Sequence, residues 1–306
     1  MSIDAPIKEA APVPPFKATT FTDYDEVEIT RSHDGRVATI SWATTGKKLN
    51  PLTVALTNEL RTAVHEVNAD EDIHVVVFRG KGGYFCCGDD LVEIHEGLWG
   101  NPNQVMKRIR YYQEFAQSIE ELDKTTLAVV EGFALGGGLE TAMACDFVLA
   151  AETCKWGMPE VDNSMTPGWG GTTRMIRYIG RRRTKEINML GALQSAQRGV
   201  DWGLFNATVP DADVDSEIER FIDMILVKNQ QTLRQLKFVL NKNADADMAT
   251  ALAFEVMNEV ITSSNNWRAD TPLIPDAEPG VGLRAFAEKG EVWNTRREKA
   301  IGFWAQ

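Results

Sequence analysis

Cysteine and histidine are scarce in this chain, which has four of each among 306 residues. None of the cysteines stands at zinc-site spacing from histidines, and Cys86 and Cys87 are adjacent, which disfavours a disulfide between them. The sequence therefore predicts buried, reduced thiols and no metal site.

Long apolar runs are absent as well, since none approaches the roughly 20 residues that a membrane-spanning helix needs. Residues 1–22 lack the basic and then apolar pattern of a secretory signal, and they carry acids as well as lysines, unlike a transit peptide. Their prolines and small residues predict a flexible arm. We therefore expect a cytoplasmic protein with no membrane partner.

Positive charge is in the minority, with 32 lysines and arginines against 44 acids and a net charge of −12. Such a charge disfavours non-specific binding to nucleic acid, so no nucleic-acid partner is expected. Any polyanionic ligand must be bound by a local cluster of cations.

What the chain does have is an ordinary globular composition, with 43% hydrophobic and 25% charged residues. Short β-branched runs alternate with helix-compatible stretches over about residues 25–210, which predicts an α/β fold with parallel βαβ units. Beyond Pro210 the pattern is almost purely helical. We expect a flexible arm over residues 1–22, an α/β core over 23–210 and a helical region over 211–306.

Two local signals refine this prediction. His33, Asp34 and Gly35 predict a hairpin turn between two strands. Pro51 predicts the first turn of a helix, because proline suits that position and apolar residues such as Leu52 follow at helical spacing.

The most informative segment is Gly136-Gly137-Gly138, between a predicted strand and a predicted helix. Glycines let the backbone approach a ligand closely, and the first N–H groups of a helix are free to bind an oxyanion. Glu140 lies about one helical turn after Gly137, so its carboxylate can share that face. The alternative is that the glycines only allow tight packing and that Glu140 is an ordinary acid of a helix N-terminus.

A second segment, Cys86-Cys87-Gly88-Asp89-Asp90, also predicts a passage from strand to loop to helix. A free N–H near Asp89 could face the same oxygen. The alternative is that Asp89 and Asp90 are only capping acids.

The third segment contains Glu160, which follows Pro159 and lies 20 residues after Glu140. A glutamate in a run so poor in other charges would be costly to bury without a function, although it could also be an exposed loop acid. Two carboxylates around one water can divide acid and base roles if their environments differ.

Together the three segments, in this order and spacing, resemble the enoyl-CoA hydratase/isomerase (crotonase) superfamily. The match spans about residues 25–300 and includes residues 284–289, which resemble the family's C-terminal AFxEK segment. The resemblance implies a crotonase-like spiral of ββα units with a helical C-terminal trimerisation region. A homotrimer, or a hexamer of two trimers, is therefore expected.

The resemblance also implies roles for four positions. The backbone N–H groups of Asp89 and Gly137 correspond to the oxyanion donors, and Glu140 and Glu160 correspond to the catalytic carboxylates. Because both carboxylates are present, the implied reaction is hydration of a 2-enoyl-CoA or its reverse. Glu140 would act as base on water and Glu160 would protonate Cα, with no cofactor besides the coenzyme A of the substrate.

Binding of the polyanionic coenzyme A needs local cations in an acidic protein. The resemblance implies a substrate-binding set formed by Lys47, Lys48, Cys87, Gly88, Gly136, Gly168 and Lys289. Arg79 and Lys81 lie near the Asp89 loop in sequence and are further candidates. Each of these cations could instead be a solvated surface charge.

Four departures from the family pattern are visible. Residues 43–46 replace the usual Asn-Arg-Pro, and Val92 replaces a frequent lysine. Asp89 stands where a small or apolar residue is usual, so its carboxylate would repel an oxyanion unless it points away. Asp162 and Asn163 stand where apolar residues are common, which predicts a more polar acyl pocket.

These departures leave other functions open. The same site could isomerise a double bond, or cleave a β-diketone by a retro-Claisen reaction without coenzyme A. A non-catalytic acyl-CoA-binding relative is a third possibility, although two acids in an apolar cleft favour catalysis.

Overall fold

The structure is a computed structural model that describes residues 20–98 and 101–266. Its strands are β1 (Val27–Ser32), β2 (Val37–Trp42), β3 (Val75–Gly80), β4 (Thr125–Val130), β5 (Phe133–Leu135), β6 (Phe147–Ala151), β7 (Lys155–Gly157), β8 (Gln194–Ser195) and β9 (Ala207–Val209). Its helices are α1 (Val54–Ala69), α2 (Leu91–Glu93), α3 (Pro102–Glu120), α4 (Gly137–Met143), α5 (Gly171–Leu190), α6 (Ala196–Asp201), α7 (Val214–Leu226), α8 (Gln230–Asn243) and α9 (Met248–Asn266).

Two sheets organise the described residues. A six-stranded sheet has the order β1-β2-β3-β4-β6-β9, and a three-stranded sheet has the order β5-β7-β8. Within the larger sheet only the β1–β2 pair is antiparallel. The predicted α/β fold with parallel units is therefore confirmed. The predicted hairpin turn is also present, with positive φ angles at His33, Asp34 and Gly35.

The central strands are buried on both faces. Val76 and Phe78 of β3 belong to the cluster that includes residues of α1, α3 and α4, while Val75 and Val77 belong to the cluster that includes α7. Alternate side chains of a strand point to opposite faces, so one strand serves both clusters. This arrangement fixes β3 and the loop that follows it.

The prediction that Pro51 occupies the first turn of a helix is wrong. Helix α1 begins at Val54, and the Thr53 hydroxyl caps it by accepting a hydrogen bond from the Leu56 N–H at 3.0 Å. Leu52 lies before the helix and pairs with Asp89. The physical reason is that Thr53 supplies the cap, which leaves the Leu52 backbone free to pair with a distant loop.

The described part of the region after residue 210, up to Asn266, is mostly helical, as predicted. Helix α9 exposes apolar side chains, among them Leu252, Val256 and Val260 at 51%, 64% and 63%. Such a row is where the predicted trimer contact is expected to lie. The oligomeric state and the division into three parts stay predictions, and residues 284–289, which include Lys289, lie outside the described residues.

Two predicted absences can be compared with the described part of the chain. None of its helices is long and apolar enough to cross a membrane. No group of three or more histidine, cysteine or acidic side chains there could hold a metal ion.

Trp42, at the end of β2, contacts the loop after β3, and its replacement provides a test of stability. Its indole N–H donates to the Phe85 carbonyl at 3.1 Å, and the two rings meet edge to face at 5.0 Å. We expect Trp42→Phe to lower the free energy of unfolding by about 2–4 kcal/mol, because a buried acceptor loses its donor and a cavity forms. Urea denaturation measures the loss.

Trp202→Phe is the matched control, since Trp202 is only half-buried and packs against the guanidinium groups of Arg183 and Arg198. We expect Trp202→Phe to lower the free energy of unfolding by less than about 1.5 kcal/mol. Equal losses in the two variants would contradict the assigned role of Trp42.

Candidate active site

The loops that follow β3 and β4 are held together by backbone pairing. The Cys86 N–H donates to the Phe133 carbonyl at 2.9 Å, and the Leu135 N–H donates to the Cys86 carbonyl at 3.0 Å. Cys86 is thus the parallel partner of Ala134. The two loops stay close beyond this pair, since a Cβ on Gly88, the residue before Asp89, would lie 3.5 Å from the Gly137 nitrogen.

The N–H group of Asp89 faces the Gly137 side of its loop. On the other side, the Leu52 N–H donates to the Gly88 carbonyl at 2.8 Å and the Asp90 N–H donates to the Leu52 carbonyl at 3.1 Å. Because successive N–H groups of an extended chain point to opposite sides, the Asp89 N–H points away from Leu52.

The N–H group of Gly137 is also free. Gly137 is the first residue of α4, where an N–H has no partner within the helix. Within the described residues, neither this group nor the N–H of Asp89 donates a hydrogen bond. Both loops therefore carry one backbone N–H group without a partner among the described residues.

Two glycines allow the loops to touch. Gly88 has a φ of +95°, and a Cβ there would lie 2.9 Å from the Leu135 carbonyl oxygen and 3.5 Å from the Gly137 nitrogen. Gly136 has a φ of +47°, and a Cβ there would lie 2.9 Å from Glu160 Oε1. Only glycine fits both the dihedral angle and the space.

Glu140 is buried under the glycine segment. It is 1% exposed, and its Oε1 accepts hydrogen bonds from the Trp169 N–H at 2.8 Å and from the Gly171 N–H at 2.6 Å. Burial raises the pKa of Glu140 to about 8; the charges of Glu160 and Asp89 add to this rise and the two N–H groups oppose it. Glu140 does lie in the first turn of α4, as the alternative interpretation has it, but it is buried and bonded to backbone N–H groups of a distant segment.

Glu160 lies in a 3₁₀ turn, Pro159–Asn163, and is half-buried rather than an exposed loop acid. Its Oε2 is inaccessible to solvent and has no hydrogen-bond partner among the described residues. Burial raises the pKa of Glu160 above its ordinary value. The two glutamates thus differ, because Glu140 is anchored by two N–H groups and Glu160 has an unpaired oxygen.

The side chain of Asp89 does not point away from this site. Its Oδ1 is inaccessible to solvent and unpaired among the described residues. Burial, with a contribution from the charge of Glu160, raises the pKa of Asp89 to about 7. Asp89 is therefore a third acid beside the two glutamates and, like Glu160, is half-buried with one inaccessible oxygen.

All three acids line one cavity of about 730 Å³. Its apolar wall includes Ile94, Val105, Ile109 and Met165, and its polar edge includes Asn163, Ser164, Thr166, Thr172 and Thr173. Gly168 also lines this cavity. No lysine, arginine or histidine stands among the described residues that line it, so no cation neutralises the acids.

The predicted cations have different surroundings. The Lys47 ammonium pairs with the Asp90 carboxylate, which also caps α2. Arg79 pairs with Glu131 and Asp215, and Lys81 pairs with Glu28. Lys48 is exposed, with its ammonium 5.8 Å from the centre of the Tyr84 ring.

Lys48 is therefore, within the described residues, the one of these four cations whose side chain forms no ion pair with a carboxylate. Cys87 is half-buried, and its N–H donates to the Leu49 carbonyl at 3.1 Å. Cys87, Gly88 and Gly136 form the backbone of the two loops and are not part of the cavity wall.

A family model described as enoyl-CoA hydratase/isomerase matches residues 35–296. The chain belongs to this family. The predicted crotonase superfamily is therefore confirmed, and the site described above is the candidate active site of an enoyl-CoA hydratase/isomerase family member.

Relatives of this family are similar over most of the chain. A crotonyl-CoA hydratase of Syntrophomonas wolfei is 32% identical over 214 residues, which cover 68% of this chain and 80% of that protein. A short-chain-enoyl-CoA hydratase of Clostridium acetobutylicum is 30% identical over 232 residues, which cover 72% and 84%.

A solved structure of an enoyl-CoA hydratase from Bacillus anthracis has a TM-score of 0.75 and 29% identity. The alignment covers 87% of this chain and 97% of that one. The fold of the enoyl-CoA hydratase/isomerase family is therefore shared, as predicted.

Sequence reasoning does not find the contacts that hold Glu140. The Trp169 and Gly171 N–H groups lie 29 and 31 residues further along the chain. The glycine-rich segment 167–171 is a visible signal of close backbone approach, but it does not name the acceptor. The apolar wall formed by Ile94, which follows α2, and by Val105 and Ile109 of α3 is likewise absent from the predicted site.

The burial of Glu140 predicts a stability that depends on pH. Because its pKa is higher in the folded state than in the unfolded state, folding takes up a proton between the two values. The stabilisation is complete below about pH 4, and it is lost as pH rises toward about 8. We expect Glu140→Gln to remove this loss of stability at high pH. The melting temperature should therefore fall less between pH 5 and pH 9 in the variant than in the wild type.

Glu152→Gln, at an exposed glutamate, is the control and should follow the wild-type curve. Parallel curves for the wild type and Glu140→Gln would show that Glu140 does not have a raised pKa.

Proposed function

We propose that this protein adds water across the 2,3 double bond of a 2-enoyl-CoA and catalyses the reverse dehydration. The observation that carries the proposal is the placement of two differently held glutamates on one cavity, beside two backbone N–H groups that have no partner. The names of the hydratase relatives agree with it.

The thioester carbonyl oxygen would lie between the N–H groups of Asp89 and Gly137. These donors would stabilise the negative charge that develops on this oxygen when a nucleophile attacks Cβ. In other enzymes the removal of one such donor costs roughly 3–4 kcal/mol of transition-state stabilisation.

The two glutamates would move the protons. Ionised Glu140 takes a proton from water while the water oxygen forms a bond to Cβ, and the electrons of the double bond pass to the thioester oxygen. Protonated Glu160 then gives its proton to Cα, which regenerates the carbonyl. One water is consumed: its hydroxyl group is bonded to Cβ, Cα has received the proton of Glu160, and transfer of the water proton from Glu140 to Glu160 restores both glutamates.

The surroundings of the glutamates support this division. The Trp169 and Gly171 N–H groups favour the ionised form of Glu140 and fix its direction, as a base requires. Glu160 has no such donors at Oε2, so its carboxyl group is the better placed of the two to keep the proton that an acid must give. Burial raises the pKa of both glutamates, and the Trp169 and Gly171 N–H groups oppose that rise in Glu140. Different environments for two carboxyl groups are what separates acid from base.

Removal of either carboxylate should abolish most of the activity. We expect Glu140→Gln and Glu160→Gln each to lower kcat for hydration of crotonyl-CoA by about 10²–10⁴, since each removes a proton-transfer group. The decrease in absorbance of the conjugated thioester measures turnover, and binding of butyryl-CoA should persist. Glu152→Gln is the control; near-normal turnover in either active-site variant would refute the assignment of both carboxylates.

A substrate panel separates this reaction from its alternatives. The wild type is assayed with crotonyl-CoA, 3-hydroxybutyryl-CoA, a 3-enoyl-CoA and a free β-diketone. Interconversion of the first two supports a hydratase, whereas turnover of the 3-enoyl-CoA alone indicates an isomerase. Cleavage of the diketone alone indicates retro-Claisen chemistry, and coenzyme A binding without any turnover indicates a non-catalytic relative.

Lys48 is the described candidate for a contact with the phosphates of coenzyme A. We expect Lys48→Gln to raise the Kd for coenzyme A about three- to tenfold, with an effect that shrinks at higher salt because exposed charges are screened. Isothermal titration calorimetry at two salt concentrations measures it. Lys185→Gln on α5 is the control, and an unchanged Kd in Lys48→Gln would exclude Lys48 from the coenzyme A site.

A further inference from the structure

We propose that the carboxyl group of Asp89 selects acyl groups that carry a hydroxyl group close to the reacting carbons. The inference rests on the proposed hydratase function and adds a class of substrate to it. Its starting point is that one residue contributes two separate groups to the site.

The backbone fixes where the Asp89 side chain must go. The pairing of its loop with Leu52 on one side and with the Ala134 segment on the other holds the Asp89 N–H toward Gly137. The side chain of the same residue then enters the cavity, where it faces Glu160 and lies near Tyr112. A hydrogen-bonding group is thus placed next to the position that the thioester would occupy.

A second polar group at this end of the cavity also lacks a partner. Trp169 is 1% exposed, and its indole N–H has no hydrogen-bond partner among the described residues. Its Cε2, which is bonded to that nitrogen, lies 3.4 Å from the position of a Cβ on Gly137. The indole also stacks on Tyr112 with ring centres 4.2 Å apart.

Asp89 and Trp169 therefore border the same glycine, and each leaves one polar atom unpaired. Buried polar atoms without partners are uncommon in folded proteins, and a bound ligand is one way to satisfy them. An unsubstituted alkyl chain would leave both atoms unpaired, at a cost in binding.

A hydroxyl group fits this pair better than a keto group. It supplies one donor and two acceptor sites, so it can donate to a carboxylate oxygen and accept from the indole N–H. A keto oxygen can only accept. Because the pKa of Asp89 is raised to about 7, the group is present in both forms near neutrality, and a hydroxyl group can accept from the protonated form as well.

The experiment compares two pairs of ligands on the full chain. Butyryl-CoA and γ-hydroxybutyryl-CoA lack the double bond, and their Kd values are measured by calorimetry. Crotonyl-CoA and γ-hydroxycrotonyl-CoA are assayed for kcat/KM. The proteins are the wild type, Asp89→Ala, Asp89→Asn and the control Asp223→Ala, which removes an exposed acid of α7. Both Asp89 variants retain the backbone N–H.

We expect the wild type to bind the hydroxylated ligand at least about tenfold more tightly, and to show a similar preference in kcat/KM. Asp89→Ala should reduce both ratios to within about threefold of unity, Asp89→Asn should restore part of the preference, and Asp223→Ala should retain all of it. A wild type without preference would overturn the inference. So would an equal loss on both ligands in Asp89→Ala, which is what a merely structural role predicts.

The two proposals fail in different ways. Turnover of crotonyl-CoA without a hydroxyl preference overturns the role of Asp89 and leaves the hydratase. A hydroxyl preference in binding that Asp89→Ala removes, without turnover of either enoyl-CoA, supports the role of Asp89 and overturns the hydratase.

Discussion

The parallel pairing of Cys86 with Ala134 is the constraint on which the candidate active site depends. It sets the register between two loops that leave neighbouring strands of the large sheet, and Leu52 supports it from the other side. This register brings Gly88, the residue before Asp89, next to Gly137, since a Cβ on Gly88 would lie 3.5 Å from the Gly137 nitrogen. The buried strands behind the loops hold the pairing in place, because a shift would expose apolar side chains on both faces of the sheet.

Three acidic side chains lie close together beside this pairing, and their negative charges would repel one another. Burial disfavours the charge on each of them, and no cation among the described residues lines their cavity. The three acids differ in their hydrogen-bond partners. Two backbone N–H groups donate to Glu140, whereas Glu160 and Asp89 each have one carboxyl oxygen without a partner among the described residues. The pKa of each acid is therefore raised toward neutral pH, which suits a reaction that moves protons between water and carbon.

Much of this could be predicted from the sequence, because local patterns report local structure. Strand and helix periodicity gives the α/β order, and the glycine segment with Glu140 and Glu160 identifies the superfamily. What the sequence could not predict depends on pairs far apart in the chain. Three contacts form only when the chain is folded. They are the hydrogen bonds from the Trp169 and Gly171 N–H groups to Glu140, the ion pair of Lys47 with Asp90, and the pairing of Leu52 with Asp89. Pro51 was a misleading helix signal for the same reason.

The pairing of Leu52 with Asp89 has a consequence for variation at position 89. The Leu52 backbone bonds to the Gly88 carbonyl and the Asp90 N–H, so a different side chain at position 89 would change the cavity lining while these backbone bonds stay in place. Position 88 is more constrained, because its φ of +95° and its contact with the Leu135 carbonyl oxygen exclude a side chain. The loop therefore accepts a change of side chain at position 89 far more readily than at position 88.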